Sequence, residues 1–173
     1  MNTSRLVPIA PEALENAVKL IGSDWMLITT KDAENDRVNA MTASWGCLGV
    51  LWNKPVCVCF VRPQRHTFGL LEDSERFSVA FLDEEYRKAL RLCGTKSGRD
   101  CDKLSEAGLS AAELDGVPVI AEARLVLVCR KLYADDLKKE GFLDDSLLSN
   151  YLADDFHRMY VSVIEAAYVA EQD

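Results

Sequence analysis

The chain has 173 residues, with 28 acidic and 20 basic side chains and a formal net charge of −8. This length fits one domain, and an apolar fraction of 49% excludes a disordered polyelectrolyte. The acidic excess argues against nucleic acid or an anionic membrane as a partner, since either needs clustered positive charge.

Residues 1–9 carry one arginine and no apolar run, so no secretory leader is expected. A leading helix is expected within 1–22. Pro11 suits a first helical position, Leu14, Ala17, Val18 and Ile21 share one face, and Gly22 ends the pattern. Alternating and β-branched runs then predict six strands, over 25–30, 38–45, 56–62, 77–82, 123–133 and 158–169. Short helices fall between them. One covers 67–73. A second is expected to be capped by Asp83 and stopped at Gly94, with Tyr86, Ala89, Leu90 and Cys93 on its apolar face. A third follows Ser97-Gly98-Arg99-Asp100, which has the form of a capping box, and ends at Gly108. Residues 134–156 are rich in Asp and Glu and predict an acidic excursion with about one helical turn. The expectation is one domain over 1–173, an antiparallel barrel rather than a doubly wound sheet, because no βαβ rhythm is sustained. No run approaches the ~20 apolar residues of a membrane-spanning helix.

Cysteines 47, 57, 59, 93, 101 and 129 show no CxxC and no paired Cys/His spacing of a metal site. All six are expected to be free and to pack as small hydrophobes, which suits a reducing cytoplasm.

Two features point to chemistry. Arg62, Arg65 and His66 cluster beside Thr67, and Lys96, Arg99 and Lys103 cluster around the 97–100 segment, each group next to a predicted helix start. Unpaired N–H groups and the helix dipole favour phosphate there, and hydroxyls or guanidinium groups complete a cradle. The alternative is a solvated surface on which these bases pair with Glu72, Asp73, Asp100 and Asp102. The second feature is the strand Asn39-Ala40-Met41-Thr42-Ala43-Ser44-Trp45-Gly46, whose amide, hydroxyl, small and aromatic side chains suit a planar heteroaromatic ring. A barrel strand with Trp45 in the core is the alternative. His157 stands alone before the last strand. There is no GxSxG, HExxH, Walker or GxGxxG motif, and this pattern suits chemistry carried by a bound cofactor.

Four segments occur in order: Asn39-x-x-Thr42-Ala43-Ser44-Trp45, Val61-Arg62-Pro63-Gln64-Arg65-His66-Thr67, Cys93-Gly94-Thr95-Lys96-Ser97-Gly98-Arg99-Asp100-x-Asp102-Lys103, and His157-Arg158-Met159-Tyr160. Across residues 22–168 this resembles the flavin reductase-like family of FMN-binding split-barrel proteins, which includes flavoredoxins. The resemblance implies a six-stranded antiparallel Greek-key split barrel that forms a homodimer and binds FMN near the subunit interface. It implies Asn39, Thr42, Ala43, Ser44 and Trp45 along the flavin, and Arg62, Gln64, Arg65 and Thr67 at the phosphate or ribityl chain. Lys96, Ser97 and Lys103 would reach the cofactor from the third segment, and His157 would approach the flavin or a nicotinamide pocket. The implied activity is hydride transfer from NAD(P)H to FMN and on to an acceptor, with no metal. A flavin-binding or sensing module without catalysis, and an FMN electron-transfer protein without a nicotinamide site, are the alternatives. The acidic stretch before Phe156 is longer than the family pattern leads one to expect.

Overall fold

The structure is a computed structural model, and it describes residues 6–14, 16–34 and 36–171. Its ten strands are β1 (Leu6–Ile9), β2 (Met26–Asp32), β3 (Arg37–Ala43), β4 (Gly46–Leu51), β5 (Lys54–Val61), β6 (Arg76–Phe81), β7 (Ala111–Leu114), β8 (Val117–Ile120), β9 (Leu125–Asp136) and β10 (Arg158–Ala170). Eight form one antiparallel sheet in the order β3-β2-β6-β9-β10-β5-β4, with β1 added to β10, while β7 and β8 make a separate hairpin. In that order β3 and β5 are far apart, yet Met41, Thr42 and Ala43 of β3 face Phe60 of β5 across one cleft. The sheet is therefore rolled into a barrel that stays open along this seam.

Period-2 alternation builds the barrel. Met26 and Ile28, Phe77, Val79 and Phe81, and Leu125, Leu127 and Cys129 are buried in the interior cluster, together with Cys57, Cys59, Val61, Tyr160 and Ile164. The intervening Leu27, Ala80 and Val126 belong to a second buried cluster outside the wall, which covers them with Leu90, Cys93, Leu104, Val119 and Ile120. The long β10 curls by shifting register at Val161/Ser162 and again at Ile164/Ala166, the local kinks that let a strand follow a barrel wall.

The mainly β antiparallel class is as expected, but the strand count is not. β1, β4, β7 and β8 were missed, since their four to six residues carry little alternation. The strand expected over 38–45 runs two residues past the end of β3 at Ala43, and Ser44 and Trp45 separate β3 from β4. The leading helix is broken into a 3-10 turn at Pro11–Ala13, the short α1 (Ala17–Lys19) and a π turn at Leu20–Asp24 that runs through Gly22.

The remaining helices are α2 (His66–Asp73), α3 (Arg87–Thr95) and α4 (Lys103–Ala107). Asp83 makes no side-chain capping bond, and a 3-10 turn at Glu84–Tyr86 precedes α3, which passes Gly94 to end at Thr95. The capping box at Ser97–Asp100 does not form. Asp102 is the cap instead, accepting from the Ser105 amide at 3.1 Å. Gly108 ends α4 as expected, with φ 69° in the left-handed region that glycine adopts at little cost. The cysteine expectation holds for Cys57, Cys59, Cys93 and Cys129, which are buried, but Cys47 is exposed and Cys101 half-exposed; all six are free thiols. Among the described residues, no helix is long and apolar enough to cross a membrane.

Candidate functional site

The open seam is a cleft of about 200 Å³ lined by Met41, Thr42, Ala43, Ser44, Trp45, Phe60, Arg62, Arg65 and His157. It adjoins a second hollow of about 150 Å³ lined by Gln64, Arg65, His66, Thr67, Thr95, Lys96, Ser97, Gly98, Arg99 and Lys103. Arg65 lines both and joins them. Every residue proposed from the sequence lines one or the other except Asn39, which lies buried beneath and donates from Nδ2 to Thr67 Oγ1 at 2.8 Å.

The two hollows differ in chemistry. Met41, Phe60 and the half-exposed Trp45 give the seam cleft an apolar surface, and Thr42 and Ser44 add hydroxyls. The Thr42 hydroxyl proton is already donated to the Leu90 carbonyl at 2.6 Å, which leaves its oxygen as an acceptor. The second hollow is cationic, and the first turn of α2 opens into it. Bases there do not pair with Glu72, Asp73, Asp100 or Asp102. Lys96 pairs with Glu106 at 2.5 Å, and His66 Nε2 lies 3.2 Å from Asp32 Oδ2. Arg65 donates to the Gly94 carbonyl at 2.9 Å, Arg99 to the Gln64 carbonyl at 3.3 Å and Lys103 to the Cys93 carbonyl at 3.3 Å. No carboxylate among the described residues pairs with these three. Lys103 is 4% exposed, and its burial, together with the nearby Arg65 charge, pushes its ammonium down to about 8. Burial likewise lowers Arg65. Buried cations held only by carbonyls are costly. A dianion in the hollow would offset that cost.

Gly98 fixes the shape of this hollow. A Cβ at that position would run into Asn39 Oδ1 and come within 2.9 Å of the His66 ring. The Gly98 carbonyl accepts from Arg37 at 3.0 Å, which ties the loop to β3. The loop backbone thus lies against the Asn39–Thr67 pair with no space for a side chain. Donor set, hydroxyls and cradle together fit a phosphate joined to a planar ring system.

The acidic excursion turns back over the seam. Residues 137–157 include 3-10 turns at Lys139–Gly141 and Asp145–Asn150, and the rings of Phe142, Tyr151 and Phe156 pack together at 4.7 to 5.8 Å. Arg62 pairs with Asp155 and donates to the Asn150 carbonyl at 2.9 Å, while Gln64 donates to Asp155 at 2.6 Å. The excursion delivers His157 to the cleft, where its ring lies 5.0 Å from Trp45. Desolvation and the Arg62 charge push its imidazole down to about 4. Sequence reasoning missed Met41 and Phe60 as lining residues, because apolar side chains on a strand carry no chemical signal. It also missed Tyr151 and Asp155, placed inside a stretch read only for its charge.

Solved structures share this architecture. Flavoredoxin from Methanosarcina acetivorans matches at 24% identity and a TM-score of 0.66, over 86% of this chain and 69% of that one. An FMN-binding domain of a flavin reductase-like enzyme from Shewanella baltica matches at 17% identity and a TM-score of 0.67, over 95% and 77%. The 2-nitrobenzoate 2-nitroreductase of Pseudomonas fluorescens matches at 20% identity and a TM-score of 0.65, over 93% and 75%. The fold is thus the split barrel of flavin reductase-like proteins. No curated protein matches the sequence. The model of the flavin reductase like domain matches residues 18–173, and the chain belongs to that family.

Proposed function

We propose that this protein binds FMN and acts as an NAD(P)H-dependent flavin oxidoreductase. The observation that carries the reading is the pairing of an apolar seam cleft with a hollow whose buried Lys103 and half-buried Arg65 have no carboxylate partner among the described residues. Lys103, Arg65, Lys96 and Arg99, with Thr67 and Ser97, hold the phosphate, and the start of α2 adds backbone N–H groups. Trp45, Met41 and Phe60 offer a flat apolar contact to the ring, with Ala43 small enough for close approach and Thr42 and Ser44 at its polar edge. Asn39 acts one layer back by orienting Thr67. When bound, FMN supplies the hydride and electron chemistry, so the protein's task is position and electrostatics. The excursion limits water at the cleft, and His157 stays neutral there at physiological pH.

The reading treats residues 1–173 as one domain of a cytoplasmic homodimer. Six free thiols support a reducing compartment. A direct test adds FMN to the purified protein and then NADH or NADPH without oxygen. The expected result is a perturbed flavin spectrum, followed by bleaching with one nicotinamide. Perturbation without bleaching by either supports electron transfer or sensing instead, and no perturbation overturns the reading.

A further inference from the structure

Tyr151 sits where the excursion meets the site, at the end of the Asp145–Asn150 turn. Its ring stacks on Phe156 at 4.7 Å, meets Phe142 edge-on at 5.6 Å and carries the Arg62 guanidinium 5.3 Å from its centroid. Its hydroxyl lies 3.0 Å from His157 Nδ1, and both side chains are buried. Among the described residues, that nitrogen is the only partner of the hydroxyl.

A phenol has one proton to give, and a neutral imidazole has one bare nitrogen. If the phenol donates, the Nδ1 lone pair is satisfied and the ring proton sits on Nε2. If Nδ1–H donates instead, the phenolic proton is stranded in a buried site, which costs on the order of 1–3 kcal/mol. Burial pushes the phenol above its ordinary value, with the Arg62 charge over the ring opposing this only in part, so the hydroxyl keeps its proton to donate. The charged and titratable groups around the imidazole are Arg62, Asp155 and Tyr151, and the Arg62 charge with desolvation outweighs Asp155 in disfavouring imidazolium.

We propose that Tyr151 is a positioning residue that locks His157 in its Nε2–H tautomer, so that the seam cleft presents a fixed, neutral N–H donor to a ring or amide carbonyl oxygen. The tautomer half of this statement concerns the protein alone. The carbonyl half rests on the flavin reading given above, and its source is either the flavin ring or a nicotinamide carboxamide.

The first measurement is the nitrogen-15 spectrum of the imidazoles in ligand-free protein. The chain has two histidines, and a His66→Asn variant assigns them. The expected pattern is protonated Nε2 and bare Nδ1 on His157 at neutral pH. Protonated Nδ1, or rapid exchange of both tautomers, overturns the proposal without any ligand. Tyr151→Phe keeps the ring stack and removes only the hydroxyl; it should give mixed tautomers. In that variant a roughly three- to tenfold weaker FMN affinity identifies the carbonyl as the flavin's. A KM for NADH raised by about the same factor, with kcat and FMN affinity held, identifies the carboxamide. Tautomer mixing with neither change overturns the carbonyl half. Wild-type protein that shows the expected tautomer but binds no FMN overturns the flavin reading and supports the positioning role.

Discussion

Lys103 shows what a buried cation means at the scale of one residue. Its folded-state ammonium titrates near 8, against an ordinary value of 10.5. Between those values the unfolded chain holds more protons than the folded one, so ligand-free stability rises with pH across that window. Below it, the buried charge is a standing cost. Lys103→Met should therefore stabilise the ligand-free protein by about 1–2 kcal/mol, seen as a higher Tm, while weakening FMN binding about tenfold or more. Wild-type FMN affinity should itself fall as pH rises through 8, once the free protein loses this proton. Thermal melts and fluorescence titrations check both arms, and a destabilised Lys103→Met variant would make the lysine a structural residue. Gly98→Ala tests the cradle. Its added methyl meets Asn39 and His66, so it should weaken FMN at least tenfold and cost about 1–3 kcal/mol of stability. These residues were legible in the sequence because cations are conspicuous in an acidic chain. Their actual partners, backbone carbonyls rather than carboxylates, were not, since such contacts depend on how α3 and the 96–102 loop meet in space.

At the scale of elements, the strands that formed as expected are those with strong alternation. β6 places Phe77, Val79 and Phe81 inward, and β9 does the same with Leu125, Leu127 and Cys129. The unforeseen elements are held by neighbours rather than by their own pattern. β1 exists because β10 extends far enough to pair with it, from Leu6↔Ala170 to Ile9↔Ala167. The excursion is the plainest case: its acidic composition suggested only an excursion with about one helical turn, yet its aromatic residues and Asp155 fasten it to the barrel. Asp155→Ala removes the acceptor shared by Arg62 and Gln64. Amide hydrogen exchange should then speed up across residues 142–156 and stay unchanged in β2, β6 and β9. Arg62 and Gln64 hold the Asp155 carboxyl below its ordinary range. The same loosening should thus appear in wild-type protein as pH falls through that lowered value, and be absent at neutral pH. Uniform exchange across the excursion in both proteins would mean that the aromatic cluster alone fastens it.

At the scale of the whole molecule, β4 forms one outer edge of the sheet. Among the described residues β4 pairs only with β5, so its outer edge has no strand partner there. Val50, Leu51 and Trp52 are exposed there, and Tyr133 meets Trp52 edge-on at 6.5 Å. The β4–β5 turn has positive φ at both central positions, 53° at Trp52 and 55° at Asn53, where glycine and asparagine are preferred and a bulky aromatic is strained. An exposed aromatic held in a strained turn beside bare apolar side chains suits contact with another surface. The homodimer proposed with the flavin reading supplies one. Sedimentation should show a dimer for the wild type and a monomer for Val50→Glu, because a carboxylate buried in an apolar interface costs several kcal/mol unless it is paired. The monomeric variant should keep its fold, since Val50 is already 78% exposed in the single chain. If the flavin site is completed across the interface, FMN affinity falls with dissociation; if affinity holds, the two hollows of one chain suffice. A wild-type monomer at all concentrations would remove the dimer and leave the free edge of β4 without a partner.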